Sequence, residues 1–548
     1  MTLEAFFKKF DLFADAPDAV AKMRELVLEM AVRGQLSERQ AADQSEPAWR
    51  AFLNEFDSRI HGSDPRPQPP FEIPNEWRWV TLNDLGSTRV RNDVEDTVRA
   101  SFLPMALIPA KYGEVAQSEE RPWGDIKKGF THFADGDVVM AKITPCFENG
   151  KSAVVRDLLN GIGAGTTELH VFRPATPIIL PEYVLIYIKS RGFISRGESV
   201  MTGSAGQKRV PRDYFAASYF PVPPLAEQKR IVAKVDELMA VCDRLEEQLK
   251  ERDTRHAALS RAALARFAEA PTPANLDYLF HASFPIPPAD LRKTILTLAV
   301  RGKLVPQDPN DEPAEELFEK LEEERRRFGG LYKFRSPVAE LVEEASVPFS
   351  VASTWKWCGL SSLFNAVTDG DHLPPPKAES GVAFLTIGNI TTGKLEFEGS
   401  RFVPEDYYQG LADFRRPKRG DILYTVVGAT YGRAALVETD QPFCVQRHIA
   451  ILKPPQSIEI GYLMAVLRSP LAYDQASAST TGTAQPTIPL GSLRKFVVPL
   501  PPLAEQRRIV AKVNELMTLV DALETQLATA RATAEALLTA AVAELTTP

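Results

Sequence analysis

Only four cysteines, Cys146, Cys242, Cys358 and Cys444, occur among 548 residues. They lie far apart and form no CxxC pair, so neither a disulfide framework nor a cysteine zinc site is suggested. No apolar run approaches the roughly 20 residues that a membrane-spanning helix needs. The opening MTLEAFFKKFDLFADAPD mixes acids with its apolar residues and lacks the basic-then-apolar order of a secretory signal. The expectation is a cytoplasmic protein with reduced thiols and no membrane partner.

Signatures of chemistry are missing too. NGKS at 149–152 has the end of a phosphate-binding loop, but Pro145 stands where G-x-x-x-x-G-K-[ST] needs its first glycine. No G-x-G-x-x-G opens a helix after a strand, and the seven histidines include no HExxH. No DPPY- or NPPF-like tetrapeptide of the amino-methyltransferase kind occurs, and no helicase or nuclease signature. His372 beside Asp369 and Asp371 is the only acid–histidine cluster, and a turn or loop role suits it better than a metal. The expectation is no catalytic residue, no bound cofactor and no metal.

What is present begins with length. A chain of 548 residues exceeds what one core usually supports, so several domains are expected. Its net charge of −8 speaks against nucleic acid only on average. Residues 121–212 hold 13 Lys/Arg against 8 Asp/Glu, whereas 311–344 hold 6 against 11. Such segregation fits a chain that offers DNA some surfaces and protein partners others.

The chain also repeats itself. PPLAEQKRIVAKVDELMAVCDRLEEQL at 223–249 returns as PPLAEQRRIVAKVNELMTLVDALETQL at 501–527, with 20 of 27 positions identical at an offset of 278. AVRGQL at 31–36 returns as AVRGKL at 299–304, and Trp77 and Trp79 answer to Trp355 and Trp357. The stretches at 136–153 and 420–435 are alike, as are MTGSAGQKRVP near Met201 and TTGTAQPTIP near Thr480. Each half runs helical lead-in, variable β-rich insert, then a nearly invariant helix. Two copies of one frame with divergent inserts suggest one mechanical task performed on two targets.

After the prolines at 221–224 and 499–502, apolar residues step by four and three. They are Ile231, Val235, Leu238, Cys242, Leu245 and Leu249, then Ile509, Val513, Leu516, Val520, Leu523 and Leu527. This a/d spacing predicts helices, the first over about 226–267, that pair with each other inside one chain as an antiparallel spacer. A dimerisation zipper or a bundle core is the plainer reading of either copy alone.

The inserts, 71–220 and 349–498, read as strand-dominated mixed α/β regions. DVVMAKI, ELHVFR, DILYTVV and HIAILK predict strands between turn-forming clusters, and PEYVLIYIKS and EIGYLMAVLRS predict short helices. Loop residues able to read base edges or hold phosphates are the candidate contacts. In the first insert they are Lys142, Thr144, Asn149, Lys151 and Ser152, with Thr202, Ser204, Gln207, Lys208 and Arg209. In the second they are Thr368, Asp369, His372 and Lys377, then Thr430, Tyr431, Arg433, Gln446 and Arg447, and Thr481, Thr483 and Gln485. Such residues often only form turns, so the clusters count for more than their members.

PLPPLAEQRRIVAKV after TTGTAQPTIPLGSL resembles the end of a target-recognition domain and the conserved helix of type I restriction–modification specificity subunits. TDGDHLPPP with GVAFLTIGNI, GDVVMAKITPCFENGKSAVV and LRKTILTLAVRGKLVPQDPNDEPAEEL are similar to other segments of that family, and the likeness runs over about 19–545. The family often carries a small hydroxyl residue where Asp371 stands, so no base-contact role is carried to that position.

The resemblance implies an α+β chain with pseudo-twofold internal duplication. Its parts would be a helical lead-in (1–70), recognition domain 1 (71–222), a conserved helix with a second lead-in (223–348), recognition domain 2 (349–500) and a final conserved helix (501–548). The two long helices would form an antiparallel coiled coil. It further implies double-stranded DNA, two methyltransferase subunits and two restriction/translocase subunits as partners. S-adenosylmethionine, ATP and magnesium would sit on those partners. Alternatives are a subunit serving a methylation-only system, a scaffold that never binds DNA, or a cryptic methyltransferase, for which the motifs are absent.

Overall fold

Proline closes the last strand of each insert and leads into the helix behind it. Tyr219–Val222 pairs antiparallel with Arg78–Thr81, setting Trp79 opposite Pro221. Val497–Leu500 pairs in the same way with Lys356–Gly359, setting Trp357 opposite Pro499. Both ribbons have only two strands, so a proline that cannot donate to a second neighbour is tolerated there. The long helices Leu225–Glu269 and Leu503–Thr546 start directly after the paired prolines.

This computed structural model describes residues 3–60, 69–175, 177–204, 206–281, 283–334, 342, 347–371, 375–482 and 485–546. The chain divides into two units, Met1–Arg252 with Thr529–Pro548, and Asp253–Ala528. Among the described residues, no helix is long and apolar enough to cross a membrane.

In the first unit, four antiparallel strands lie in the order Gly86–Ser87, Leu169–Pro174, Val138–Ala141 and Ser152–Val154. A second sheet orders Glu119–Pro122, Arg99–Leu103, Ile162–Gly165 and Thr131–Ala134, its middle pair parallel. The second unit repeats this arrangement with one strand fewer. Ala366–Asp369, Ile449–Lys453, Ile422–Thr425 and Ala434–Leu436 form one sheet; Arg401–Val403, Val382–Leu385 and Phe443–Val445 form the other, again with a parallel middle pair. Among the described residues, the second sheet has no counterpart of Thr131–Ala134. The expected helices are Pro181–Lys189 and Ile460–Arg468.

The repeated AEQ fastens each long helix to its insert. Glu227 and Glu505 are 1% exposed, and Gln228 and Gln506 are fully buried. The Trp77 indole N–H donates to Glu227 Oε2 at 3.0 Å, as Trp355 does to Glu505 Oε2 at 2.8 Å. Gln228 donates to the Ile178 and Pro223 carbonyls and accepts from the Leu180 N–H. Gln506 donates to the Pro501 carbonyl and accepts from the Glu459 N–H. Buried polar groups are costly unless bonded, so these four residues demand matching partners in each half.

The lead-ins are tied down by repeated ion pairs. Arg24 of Ala19–Val32 reaches Asp243 and Glu246, and Arg292 of Pro288–Val300 reaches Asp521 and Glu524, all within 2.7 Å. Arg230 meets Asp43, and Arg508 meets Asp311, both at 2.6 Å.

The stepped apolar residues do not make one continuous seam. Ile231, Val235 and Leu238 sit in the insert core with Trp77, Tyr183 and Phe220, in a cluster holding no residue of the other long helix. Helix pairing is therefore corrected for these three. Steps of three and four mark any helix face laid on apolar surface, whether that surface is a helix or a domain. Cys242, Leu245 and Leu249 instead join Phe6, Phe10, Met23, Ala534 and Leu538. In the second unit Ile509, Val513, Leu516, Val520 and Leu523 pack in one cluster with Trp355, Tyr462, Ala263 and Phe267. Leu527 is half-buried.

Candidate nucleic-acid interface

One end of each four-stranded sheet gathers the candidate loops, and matched backbone bonds hold them there. In the first insert the Lys142 N–H donates to the Glu168 carbonyl, and Lys142 O accepts from Val210. Thr144 N–H donates to Lys208 O, while Thr202 and Arg209 exchange two bonds at 3.0 and 2.8 Å. In the second insert Val426 N–H donates to His448 O, and Val426 O accepts from Ile488. Gly428 N–H donates to Pro486 O, and Thr481 and Thr487 exchange two bonds at 2.9 Å. Bond for bond, Lys142 stands where Val426 stands, Glu168 where His448 stands, and Arg209 where Thr487 stands.

A third segment completes each edge. The Arg212 guanidinium donates to Thr88 O at 2.7 Å, and Arg494 donates to Val367 O at the same distance. The strand registers agree with this match, Ser87 opposite Arg173 and Ala366 opposite Lys453. The stretch TRVRN at 88–92 thus answers to VTDGD at 367–371.

The structure brings most of the candidates to these edges and removes some from contact. Asn149, Thr202, Ser204, Gln207 and Lys208 are exposed in the first insert, as are Lys377, Arg433, Arg447, Thr481 and Gln485 in the second. Lys142, Thr144, Thr430, Tyr431 and Gln446 are half-buried. Ser152 is 1% exposed and donates to Gly150 O, and Thr368 is 4% exposed inside its strand, so both are corrected from ligand contacts to core positions. Lys151 donates to Met105 O at 3.0 Å. Arg209 grips Glu168 with two bonds at 2.9 and 2.8 Å, and holds its carboxyl below the usual range. Tyr431 stacks on Tyr473 at 5.8 Å and shares a hydrogen bond with Ser477. His372 and Thr483 lie outside the described residues.

The two edges differ in charge. In the second insert Arg415 lies 3.9 Å from Asp369 and 3.6 Å from Asp371, and Tyr407 donates to Asp371. A cavity of about 680 Å³ beside them is lined by Asp371, Lys377, Gln446 and Arg447 among others. Among the described residues no group of three or more His, Cys, Asp or Glu could hold a metal.

In the first insert a cleft of about 440 Å³ is lined by Arg89, Arg91, Lys142 and Arg212, with His132 and His170. Burial, then Lys142 and Arg212, push the His170 imidazole down to about 4, and burial with Arg91 lowers His132. Arg89, Arg91 and Arg212 are not among the loop residues that the sequence singles out. Their signal was the alternation in TRVRN, masked because the strand before it is only two residues long.

Residues 362–530 match the type I restriction modification DNA specificity domain. The chain is 35% identical over 570 residues to the EcoAI specificity subunit of Escherichia coli, covering 97% of this chain and 95% of that one. It is 34% identical over 562 residues to the EcoEI specificity subunit of the same species, covering 96% and 93%. A solved chain from a study of complex assembly and conformational transition of the type I R-M system superposes with a TM-score of 0.52. That chain is 20% identical, with 87% of this chain and 99% of it covered, and it shares the fold. Identity above 30% along nearly the full length of two such relatives is decisive, and the chain belongs to the family of type I restriction enzyme specificity subunits, which are non-catalytic DNA-recognition components.

Proposed function

We propose that the inserts at 71–222 and 349–500 each read one half of a bipartite, asymmetric DNA site, and that the long helices set the gap between the halves as a paired spacer. The observation that carries this is the repeated loop edge. Identical backbone bonds present different side chains at matched positions, as two readers of different half-sites require. The chain then directs adenine-N6 methylation and restriction performed by two methyltransferase and two restriction/translocase subunits. S-adenosylmethionine, ATP and magnesium belong to those partners, and the compartment is the cytoplasm.

The test is a genome-wide map of N6-methyladenine in cells carrying this chain and its methyltransferase, before and after residues 349–498 are replaced by those of another family member. One bipartite motif is expected, with one half altered by the exchange. A motif changed in both halves, or in neither, overturns the reading.

A further inference from the structure

The cleft at the first edge concentrates positive charge without neutralising it. Arg89 and Arg91 are exposed, while Lys142 and Arg212 are half-buried. Among the described residues, none of these four cations has a carboxylate within ion-pair distance. Arg212 gives donors to the Thr88 carbonyl and hydroxyl oxygens. Glu168, whose backbone carbonyl accepts from the Lys142 N–H, is already gripped by Arg209. The matched place in the second insert holds Asp369 and Asp371 against Arg415 and Arg494, two charges of each sign. The same backbone segment thus carries unpaired arginines at 89 and 91 in one insert and carboxylates at 369 and 371, paired to Arg415, in the other.

Four like charges held together repel one another unless an anion joins them. Two of them stand on the free run after a two-residue strand, where the backbone is held by Arg212 through Thr88 O and by the Asn92 N–H donating to His132 Nδ1. Nothing in that arrangement requires arginine at 89 or 91 for folding. An anion with several oxygens, spaced along a groove, is what the cleft fits, and the reading of the chain as a DNA-recognition subunit supplies it.

We infer that Arg89, Arg91, Lys142 and Arg212 form a phosphate clamp by which the first recognition domain grips the DNA backbone, and that the second domain has no counterpart at the matched position. The inference rests on the proposed function. It adds that the two domains divide the work unequally, the first supplying more of the sequence-independent hold.

The test compares the wild-type chain, Arg89→Ala/Arg91→Ala and Arg89→Lys/Arg91→Lys, each assembled with its methyltransferase. Binding is measured across a salt series on a duplex carrying the mapped site and on a scrambled duplex. Each lost phosphate contact should flatten the plot of log affinity against log salt by about 0.9, hence by about 1.8 for the alanine pair, on both duplexes alike. The lysine pair should restore the slope, since phosphate needs charge, whereas a base edge needs the arginine fork. Unfolding midpoints should match the wild type, because neither arginine holds an ion pair.

An unchanged slope in a folded alanine variant overturns the clamp. Loss confined to the mapped duplex and not rescued by lysine makes the arginines base readers, which also overturns it. Wild-type chain that cannot tell the two duplexes apart removes the recognition reading beneath it.

Discussion

The two inserts share their backbone and differ in what it carries. Lys142 and Val426 make the same two main-chain bonds, as do Arg209 and Thr487 across the loop from Thr202 and Thr481. A charged chain and an apolar or hydroxyl one can trade places at such positions because the main-chain bonds are the same whichever side chain is present. The contrast lies with positions where the side chain is the support. Trp77 and Trp355, Glu227 and Glu505, and Gln228 and Gln506 are the same residue in both copies, each bonded to a matching partner. Divergence is permitted where the main chain does the holding and is suppressed where a buried side chain does.

One pair breaks that pattern and yields the largest expected effect. Asp137 binds Arg173, and Asp421 binds Lys453, at matched places between strand and turn. The second pair is buried on both sides, with side chains 8% and 10% exposed, whereas the Arg173 side chain is 34% exposed. Removing one member of a buried pair strands the other charge, at a cost of roughly 3–5 kcal/mol. Asp421→Ala should therefore cost about that much in urea unfolding. Asp137→Ala should cost less, because Arg173 reaches water and keeps a bond to Asn92 at 3.2 Å. Equal losses would mean that exposure does not set the difference between the copies.

A smaller effect tests whether the two helix starts are alike. Burial holds the carboxyls of Glu227 and Glu505 above the usual range, opposed by bonds from Ser37 and Trp77 in one and Trp355 and Gln307 in the other. A raised folded pKa means that the folded chain keeps protons the unfolded chain has released. Each group's contribution is then full below its unfolded value of about 4.5 and is lost as pH rises through the folded value. Glu227→Gln and Glu505→Gln should each remove that decline, seen as a variant-minus-wild-type difference in unfolding midpoint that grows from acid to neutral pH. Glutamine keeps an oxygen for the indole N–H, so both variants should fold. A pH response in one copy only would show that the matched bonds differ in strength.

Much of this was legible before any coordinates. The first long helix, expected over about 226–267, runs Leu225–Glu269, because proline pairs and stepped apolar residues are local signals. The strands in DVVMAKI, ELHVFR, DILYTVV and HIAILK and the two short helices stand where alternation and apolar faces placed them. Spacing could not reveal what each apolar face packs against, and so Ile231, Val235 and Leu238 belong to an insert core. Nor could it separate Ser152 and Thr368 from the exposed residues beside them, since a hydroxyl in a strand end suits core and surface equally. The arginines at 89 and 91 escaped because their equivalence to the aspartate segment passes through strand register, not through any shared residue.

The smallest structural effect isolates recognition from folding. Arg209 is half-buried and its pair with Glu168 spans the loop edge, while Thr487 fills the same place with no charge at all. Ion pairs whose side chains reach water contribute little to stability, and the Thr202 ladder to residue 209 uses main-chain atoms only. Arg209→Thr should thus leave the unfolding midpoint where it is while freeing the Glu168 carboxylate at the loop edge. In the reconstituted complex, discrimination at one half-site should change while the other half-site and the gap stay as they were. A shift in the unfolding midpoint would place Arg209 with the supporting residues, and the line between holding and reading would then run through the side chains after all.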